Sequence, residues 1–392
     1  MKLLIILDDL PKPTNSGNRL VLASELLAFY KIASDQSVIV FSRDESSSGS
    51  EKFIADNSDR HLFVDRRGFV ETTRSQPFLP YQYASRSLSK LALEKVATWP
   101  RPDVIIANHE WTLKAANHLR EIWPGVRIVL RSHNDEQKFM QDVARSASGV
   151  RRIYSEFEAR RTSAGFLKRV TSELDEVWTI APADEEVYAR LDQNVITMPP
   201  IAPISSGTIK KFDTCDTWRF GFLGALDMPH AVEGLEWFIS MVWPSLLVQN
   251  SGAELVIAGR RADAALESRL RKTKGVRYLG EIADSAEFYE LIDIFVNPVF
   301  AGSGINMKML EPAQRGIPLV TTEIGTRGLE SLGIDGKSSV EEFFQECISL
   351  AQDAGYRNTF SSRMKKGAQD YSSESFERRA ISRLEGLKCP RV

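Results

Sequence analysis

The stretch Ala301-Gly302-Ser303-Gly304-Ile305-Asn306-Met307-Lys308-Met309-Leu310-Glu311 carries more information than any other in the chain. It runs on through Pro312-Ala313-Gln314-Arg315-Gly316-Ile317-Pro318 into the apolar Leu319-Val320-Thr321-Thr322. It reads as a glycine-rich loop opening a helix, then a Gly-x-Pro turn into a buried strand. Glycines let backbone amides approach an anion, and a helix N-terminus favours phosphate through its free N–H groups and dipole. A helix starting near Ser303 would rise roughly 12 Å to Glu311 at about 1.5 Å per residue, with the carboxylate leaning back toward the N-terminus. That spans the distance from nucleotide phosphates to ribose hydroxyls, and an ionised Glu suits vicinal hydroxyls because it only accepts hydrogen bonds. Gly304, Lys308 and Glu311 are spaced to share one helix face. The segment therefore implies a nucleotide-sugar site.

Outward from it, short apolar runs alternate with helix-length segments along the whole chain, the pattern of an α/β protein whose parallel sheets are covered on both faces. Strands are expected at Leu3–Leu7, Val38–Phe41, His61–Val64, Val104–Ala107, Arg127–Leu130, Val177–Ile180 and Val195–Met198 in a first half. In a second half they are expected at Phe220–Leu223, Glu254–Ala258, Val276–Leu279, Ile294–Val296 and Pro318–Thr321. Many run into polar or glycine residues at their carboxyl ends: Asp8-Asp9, Asn108-His109-Glu110, Arg131-Ser132-His133-Asn134-Asp135, Gly224, Gly259-Arg260 and Gly280-Glu281. Open parallel sheets bind ligands at those ends. A Pro- and Gly-rich linker, Pro199 to Gly207, divides a first domain (1–200) from a second (205–371). A charged helix in 372–392 is expected to cross back to the first.

At 392 residues the chain is long for one core and comfortable for two. Its formal net charge of -2 gives no sign of a nucleic-acid partner. Cys215, Cys347 and Cys389 show neither metal-ligand spacing nor an even disulfide set, which points to a reducing cytoplasm. Met1 to Leu7 is cut short by Asp8-Asp9 and reads as a first strand rather than a signal peptide. No uninterrupted apolar run approaches the roughly 20 residues of a membrane span, so any membrane contact is expected to be peripheral, at the inner face.

With these residues in view, the chain resembles the glycosyltransferase family 4 enzymes of GT-B fold, two facing Rossmann-like doubly wound domains with a cleft between them. The resemblance covers nearly the whole chain. It is strongest from Phe222-Leu223-Gly224 to Gly328-Leu329, which looks like the donor-binding domain. Pro13-Thr14-Asn15-Ser16-Gly17-Asn18-Arg19 looks like the glycine loop that faces the donor phosphates, and Arg131-Ser132-His133-Asn134 like the strand end whose histidine lines the reaction centre. The resemblance implies transfer of a sugar from a nucleoside diphosphate sugar to an acceptor hydroxyl, with retention and without a metal or other cofactor. No Asp-x-Asp is present. Diphosphate charge would then be met by helix N–H groups near Gly302-Ser303-Gly304-Ile305 and by Lys308, Arg260 or Arg261. Two positions differ from the common pattern. Ser303 stands where many members have a Glu, a variant that resembles a branch associated with bacterial surface polysaccharides. Gly224-Ala225-Leu226-Asp227-Met228-Pro229-His230 lacks the usual Arg and Lys after the donor domain's first strand.

Residue by residue, His133 is expected to bond a sugar hydroxyl rather than act as base, Glu311 to hold the ribose, and Lys308 to face phosphate. Gly17 and Asn18 belong to the first-domain loop, and Gly280-Glu281-Ile282 passes the base. His109-Glu110 is a second strand-end pair, structural in the first instance, and Asp135-Glu136 reads as a helix cap. The basic stretch Arg151, Arg152, Arg160, Arg161, Lys168 and Arg169 reads as a solvated helical face, with a membrane surface as the alternative. Pro77-Phe78-Leu79-Pro80-Tyr81-Gln82-Tyr83 reads equally as an acceptor-side loop or a packed connection. The expected activity is glycosyl transfer in surface polysaccharide or glycoconjugate assembly, with a glycan, lipid-linked or protein acceptor and room for a homo-oligomer. The alternatives are a non-catalytic partner of an active transferase and a nucleotide-sugar epimerase.

Overall fold

The structure is a computed structural model that describes residues 1–12, 17–42, 48–146, 149–202, 218–282, 284–300 and 305–388. Two compact units emerge, Met1–Ile201 with Tyr371–Val392, and Ala202–Asp370.

The first unit holds a seven-stranded sheet in the order β3-β2-β1-β4-β5-β6-β7. These strands are β1 Lys2–Leu7, β2 Asp35–Ser42, β3 Arg60–Asp65, β4 Val104–Asn108, β5 Arg127–Ser132, β6 Glu176–Thr179 and β7 Val195–Thr197. All neighbours pair in parallel. Val104-Ile105-Ile106-Ala107 and Ile128-Val129-Leu130 are buried on both faces, which is why they read as unbroken apolar runs. The order reverses between β1 and β4, and ligand crevices open at the carboxyl ends beside such a switch.

One face of this sheet is closed by the helix Gly17–Ile32 together with the helix Ser373–Lys388. Phe376, Ala380 and Leu384 join the same core as Leu22, Leu26 and Phe29. Phe29 and Phe376 meet edge to face at 5.3 Å. Lys31 pairs with Glu377 at 2.9 Å, and Arg383 donates to Glu176 at 3.2 Å.

In the second unit a five-stranded sheet has the order β10-β9-β8-β11-β12, with β8 Arg219–Ala225, β9 Glu254–Arg260, β10 Val276–Gly280, β11 Ile294–Asn297 and β12 Leu319–Thr321. Its switch point lies between β8 and β11. Gly234 passes so close to β11's end that a Cβ there would lie 2.0 Å from the Pro298 carbonyl oxygen, so only glycine fits. Every strand expected from the sequence is present, within a few residues at each end.

The continuous helical run Pro229–Gln249 is long and apolar enough to cross a bilayer, although Glu233 and Glu236 interrupt its apolar sequence. It instead buries Leu235, Phe238, Val242, Trp243 and Leu246 in the second unit. The helix expected from Ser303 starts later: Met307–Met309 is a 3₁₀ turn and the α-helix covers only Leu310–Arg315. Pro312 explains this, since it has no N–H to bond the Lys308 carbonyl and its ring would clash there, so an α-helix can begin no more than a turn before it. Gly316 then stops the helix in the left-handed conformation at φ 72° and the chain turns through Pro318 into β12.

Candidate functional site

In the second unit, Glu311 sits in the first turn of its short helix, where the dipole favours a carboxylate. It accepts from Ser285 Oγ at 2.7 Å and from the Arg315 guanidinium at 3.1 Å. Arg315 in turn lies over the Tyr289 ring at 5.2 Å. The Ser285 bond ties Glu311 to the helix Ser285–Glu290, which opens three residues after Ile282. The carboxylate expected to hold the ribose is thus tied to the helix that follows the segment expected to pass the base. Gly280 has φ 76° and open space where a Cβ would stand, while Glu281 is exposed.

Lys308 belongs to the 3₁₀ turn, so it does not share an α-helical face with Glu311 in the way the spacing suggested. Its partly buried ammonium lies 3.4 Å from the position a Cβ on Gly224 would take, at the end of β8. No carboxylate pairs it among the described residues. Burial first, then the charge of Arg260 at the end of β9, hold its pKa below the usual lysine value. His230 is held down in the same way, by burial and then by Lys308. Lys308 and Arg260 therefore bring two cations to the carboxyl ends of β8 and β9, beside a neutral His230 on which Glu233 also acts. Arg261 is spent differently, exposed and paired with Asp227 at 3.2 Å. Gly302, Ser303 and Gly304 lie outside the described residues; Ile305 is irregular and half-buried.

In the first unit, Gly17 starts a helix and Asn18 has a buried side-chain oxygen without a hydrogen-bond partner among the described residues, while Arg19 pairs with Asp9 at 3.1 Å. Around the switch point the strand ends converge. Arg131 is fully buried, forked onto Glu25 at 3.0 and 3.1 Å and bonded to the Met198 carbonyl at 2.6 Å. His133 is buried, its Nε2 3.2 Å from Asn108 Oδ1, and its ring stacks on His109 at 4.6 Å with 23° between planes. His109 adopts φ 65°, rare for a residue with a Cβ. Its Nδ1 lies 3.0 Å from Glu136 and 3.7 Å from Glu110. Glu110 accepts from the Tyr188 hydroxyl, which is 2.9 Å from Ser132 Oγ.

The electrostatics follow from burial and these neighbours. Burial alone would lower the pKa of His109, but Asp8, Glu110 and Glu136 outweigh it and hold it well above the ordinary value. His133 is driven the other way, by burial, then His109, then Arg131, and stays neutral. Burial, followed by Asp135 and Glu110, pushes Asp184 up to about 6. His109, Glu110 and Glu136 offer one nitrogen and two oxygens within 4.8 Å of one another, a set that could hold a divalent ion. The 3.0 Å separation from Glu136 is also that of an ion pair, in which an imidazolium offsets one of the two carboxylates, and burial raises the pKa of Glu136.

Asp135 accepts from the Lys138 amide at 3.0 Å as a helix cap, but Glu136 is no mere capping residue: it turns inward onto His109. Two segments the sequence left apart are joined, because Arg161 lies over Phe157 at 3.8 Å and donates to the Pro77 carbonyl, and Glu158 accepts from the Tyr81 amide at 2.7 Å. Asp184, Tyr188 and Ser285 carried no sequence signal beyond their polarity.

Two parallel Rossmann-like sheets in one chain, each with its ligand-binding strand ends furnished, define a GT-B protein. Residues 218–353, within the second unit, match the family described as Glycosyl transferases group 1. It is 25% identical over 353 residues to an uncharacterized 44.6 kDa protein in the cps region of Klebsiella pneumoniae, covering 83% of this chain and 84% of that one. Among solved structures it resembles Anabaena HepE in complex with UDP and glucose, with TM-score 0.63, 13% identity and coverage of 98% and 100%. It also resembles a trehalose 6-phosphate synthase from Burkholderia multivorans, with TM-score 0.60, 12% identity and 98% of both chains covered. At these identities the two structures speak for the fold.

Proposed function

We propose that this chain transfers a glycosyl group from a nucleoside diphosphate sugar to an acceptor hydroxyl, with retention and without a metal at the diphosphate, in surface polysaccharide assembly. The observation that carries the reading is Lys308, a partly buried ammonium with no carboxylate partner among the described residues, beside Gly224 and Arg260 at strand ends. An unpaired buried cation is costly unless an anion arrives. A departing diphosphate is that anion: as the anomeric C–O bond breaks and the acceptor oxygen bonds to the same carbon, negative charge collects on the leaving phosphate, which takes up the acceptor proton. Fixed cations stabilise that charge most where water is excluded. Glu311 holds the ribose and Gly280-Glu281-Ile282 passes the base. Gly302-Ser303-Gly304, Gly17 and Asn18 contribute to the phosphates, and His133 bonds a sugar hydroxyl. The cps-region relative favours a polysaccharide role.

A cytoplasmic location with peripheral contact at the inner face of the membrane is part of the same proposal. Phe78 (88% exposed), Ile153 (71%) and Phe157 (48%) present apolar surface around the joined segments 77–83 and 149–161, with the exposed Arg160 among them. Basic and aromatic side chains together suit an anionic interface carrying a lipid-linked acceptor.

The test is thermal stability against UDP, GDP, ADP, CMP and TDP without metal. A ligand at about a hundred times its dissociation constant adds roughly 2.7 kcal/mol. A selective shift identifies the donor base; no shift with any of them overturns the donor site.

A further inference from the structure

We infer that His109 is a positioning residue: held by Glu136 and stacked on His133, it fixes the His133 ring so that Nε2–H is spent on Asn108 and Nδ1 is left as an acceptor for a substrate hydroxyl. Asn108 Oδ1 can only accept, so Nε2 of His133 must carry the proton at their 3.2 Å contact, and one neutral tautomer is selected. The stack at 4.6 Å fixes the plane of the ring. His109 reaches that position only through a backbone at φ 65°, and strain of this kind persists where the surroundings over-determine it. Its anchors come from separate elements. Glu136 is on the helix after β5, Glu110 follows β4, and the charge of Asp8 acts from the end of β1. His133 itself is faced by His109 and by Arg131 of its own strand. A fixed positive charge stacked against a second imidazole opposes its protonation, so the same contact that orients His133 also keeps its acceptor nitrogen free.

The inference rests on the proposed role of His133 in sugar binding, and its test separates the two. Nitrogen-15 spectra of histidine-labelled full-length protein, recorded from pH 5 to 9, report tautomer and charge without any turnover. In the native sequence His133 should hold the Nε2–H tautomer throughout. In His109→Asn, which can still donate to Glu136 but carries no charge, His133 should titrate at least about one unit higher and populate both tautomers. A His133 that titrates near the ordinary value in the native protein, or an unchanged titration in the variant, overturns the inference. Where transfer is measurable, the acid limb of kcat should move to higher pH in His109→Asn while the donor KM changes less than about twofold. A uniform loss at every pH would mean a merely structural role. Absence of any transfer would count against the transferase reading and leave the spectroscopic result to decide this one.

Discussion

Glu311 and Arg315, one helical turn apart, hold each other at 3.1 Å, and the same carboxylate takes the Ser285 hydroxyl at 2.7 Å. In the proposed role, the carboxylate is thereby oriented in advance of the ribose. Glu311→Ala should lower kcat/KM for donor by about 10- to 100-fold, the worth of a charge-assisted pair of hydrogen bonds. The variant should also melt lower, because Arg315 is buried and loses its carboxylate partner, so donor use is compared at a temperature where both proteins are folded. Near-normal donor use would remove Glu311 from the site.

Lys308→Met should separate binding from stability in opposite directions. Without ligand the variant should be as stable as the native chain or more so, since an ammonium disfavoured by burial and by Arg260 is removed. The melting shift given by the nucleoside diphosphate should vanish. Calorimetry with and without ligand reads both, and a retained shift would place the diphosphate elsewhere.

The folded pKa of Asp184, about 6, lies above its ordinary 3.8. A raised acid favours the folded state below the unfolded pKa, and that contribution is lost as pH rises through the folded one. The native chain should therefore lose stability from Asp184 between about pH 4 and 7, by up to roughly 3 kcal/mol. Asp184→Asn should flatten that slope in urea titrations at a series of pH values. An identical slope would show that Asp184 is not the group responsible.

Breaking the buried Arg131–Glu25 pair from one side should be severe. Arg131→Met leaves Glu25 buried and uncompensated, at a cost of about 3–5 kcal/mol, whereas the double change with Glu25→Leu should recover much of it. Equilibrium unfolding of the three variants gives the coupling directly. Equal destabilisation in single and double variants would contradict it.

Phe78→Ser with Phe157→Ser should reduce sedimentation with vesicles containing anionic lipid while leaving soluble donor binding intact. Unchanged sedimentation would place any membrane contact elsewhere.

The strands were legible because each is a short apolar run ending in a polar or glycine residue, a signal local to a few positions. Lys308 and Glu311 were legible as residues but not in their geometry. Pro312, inside the quoted segment, delays the α-helix to Leu310 and moves Lys308 onto a 3₁₀ turn. Glu136 was read as a cap because sequence neighbours fix its helical position. Its ion pair with His109 arises only when the helix after β5 meets the end of β4. Ser285 and Glu311 are 26 residues apart, and nothing in either's local pattern announces the other.

The helix Ser373–Lys388 completes the core that begins with β1, so the second unit is an insertion between two parts of the first. During synthesis Phe29 and Leu22 wait for Phe376 until the inserted unit has been made, so that unit has all of its residues earlier. Vectorial folding usually favours the N-terminal domain; here the inserted unit can finish before the unit that surrounds it in sequence. Deleting the helix Ser373–Lys388 would uncover apolar surface beside the helix Gly17–Ile32, so a deletion far downstream acts on residues made long before it.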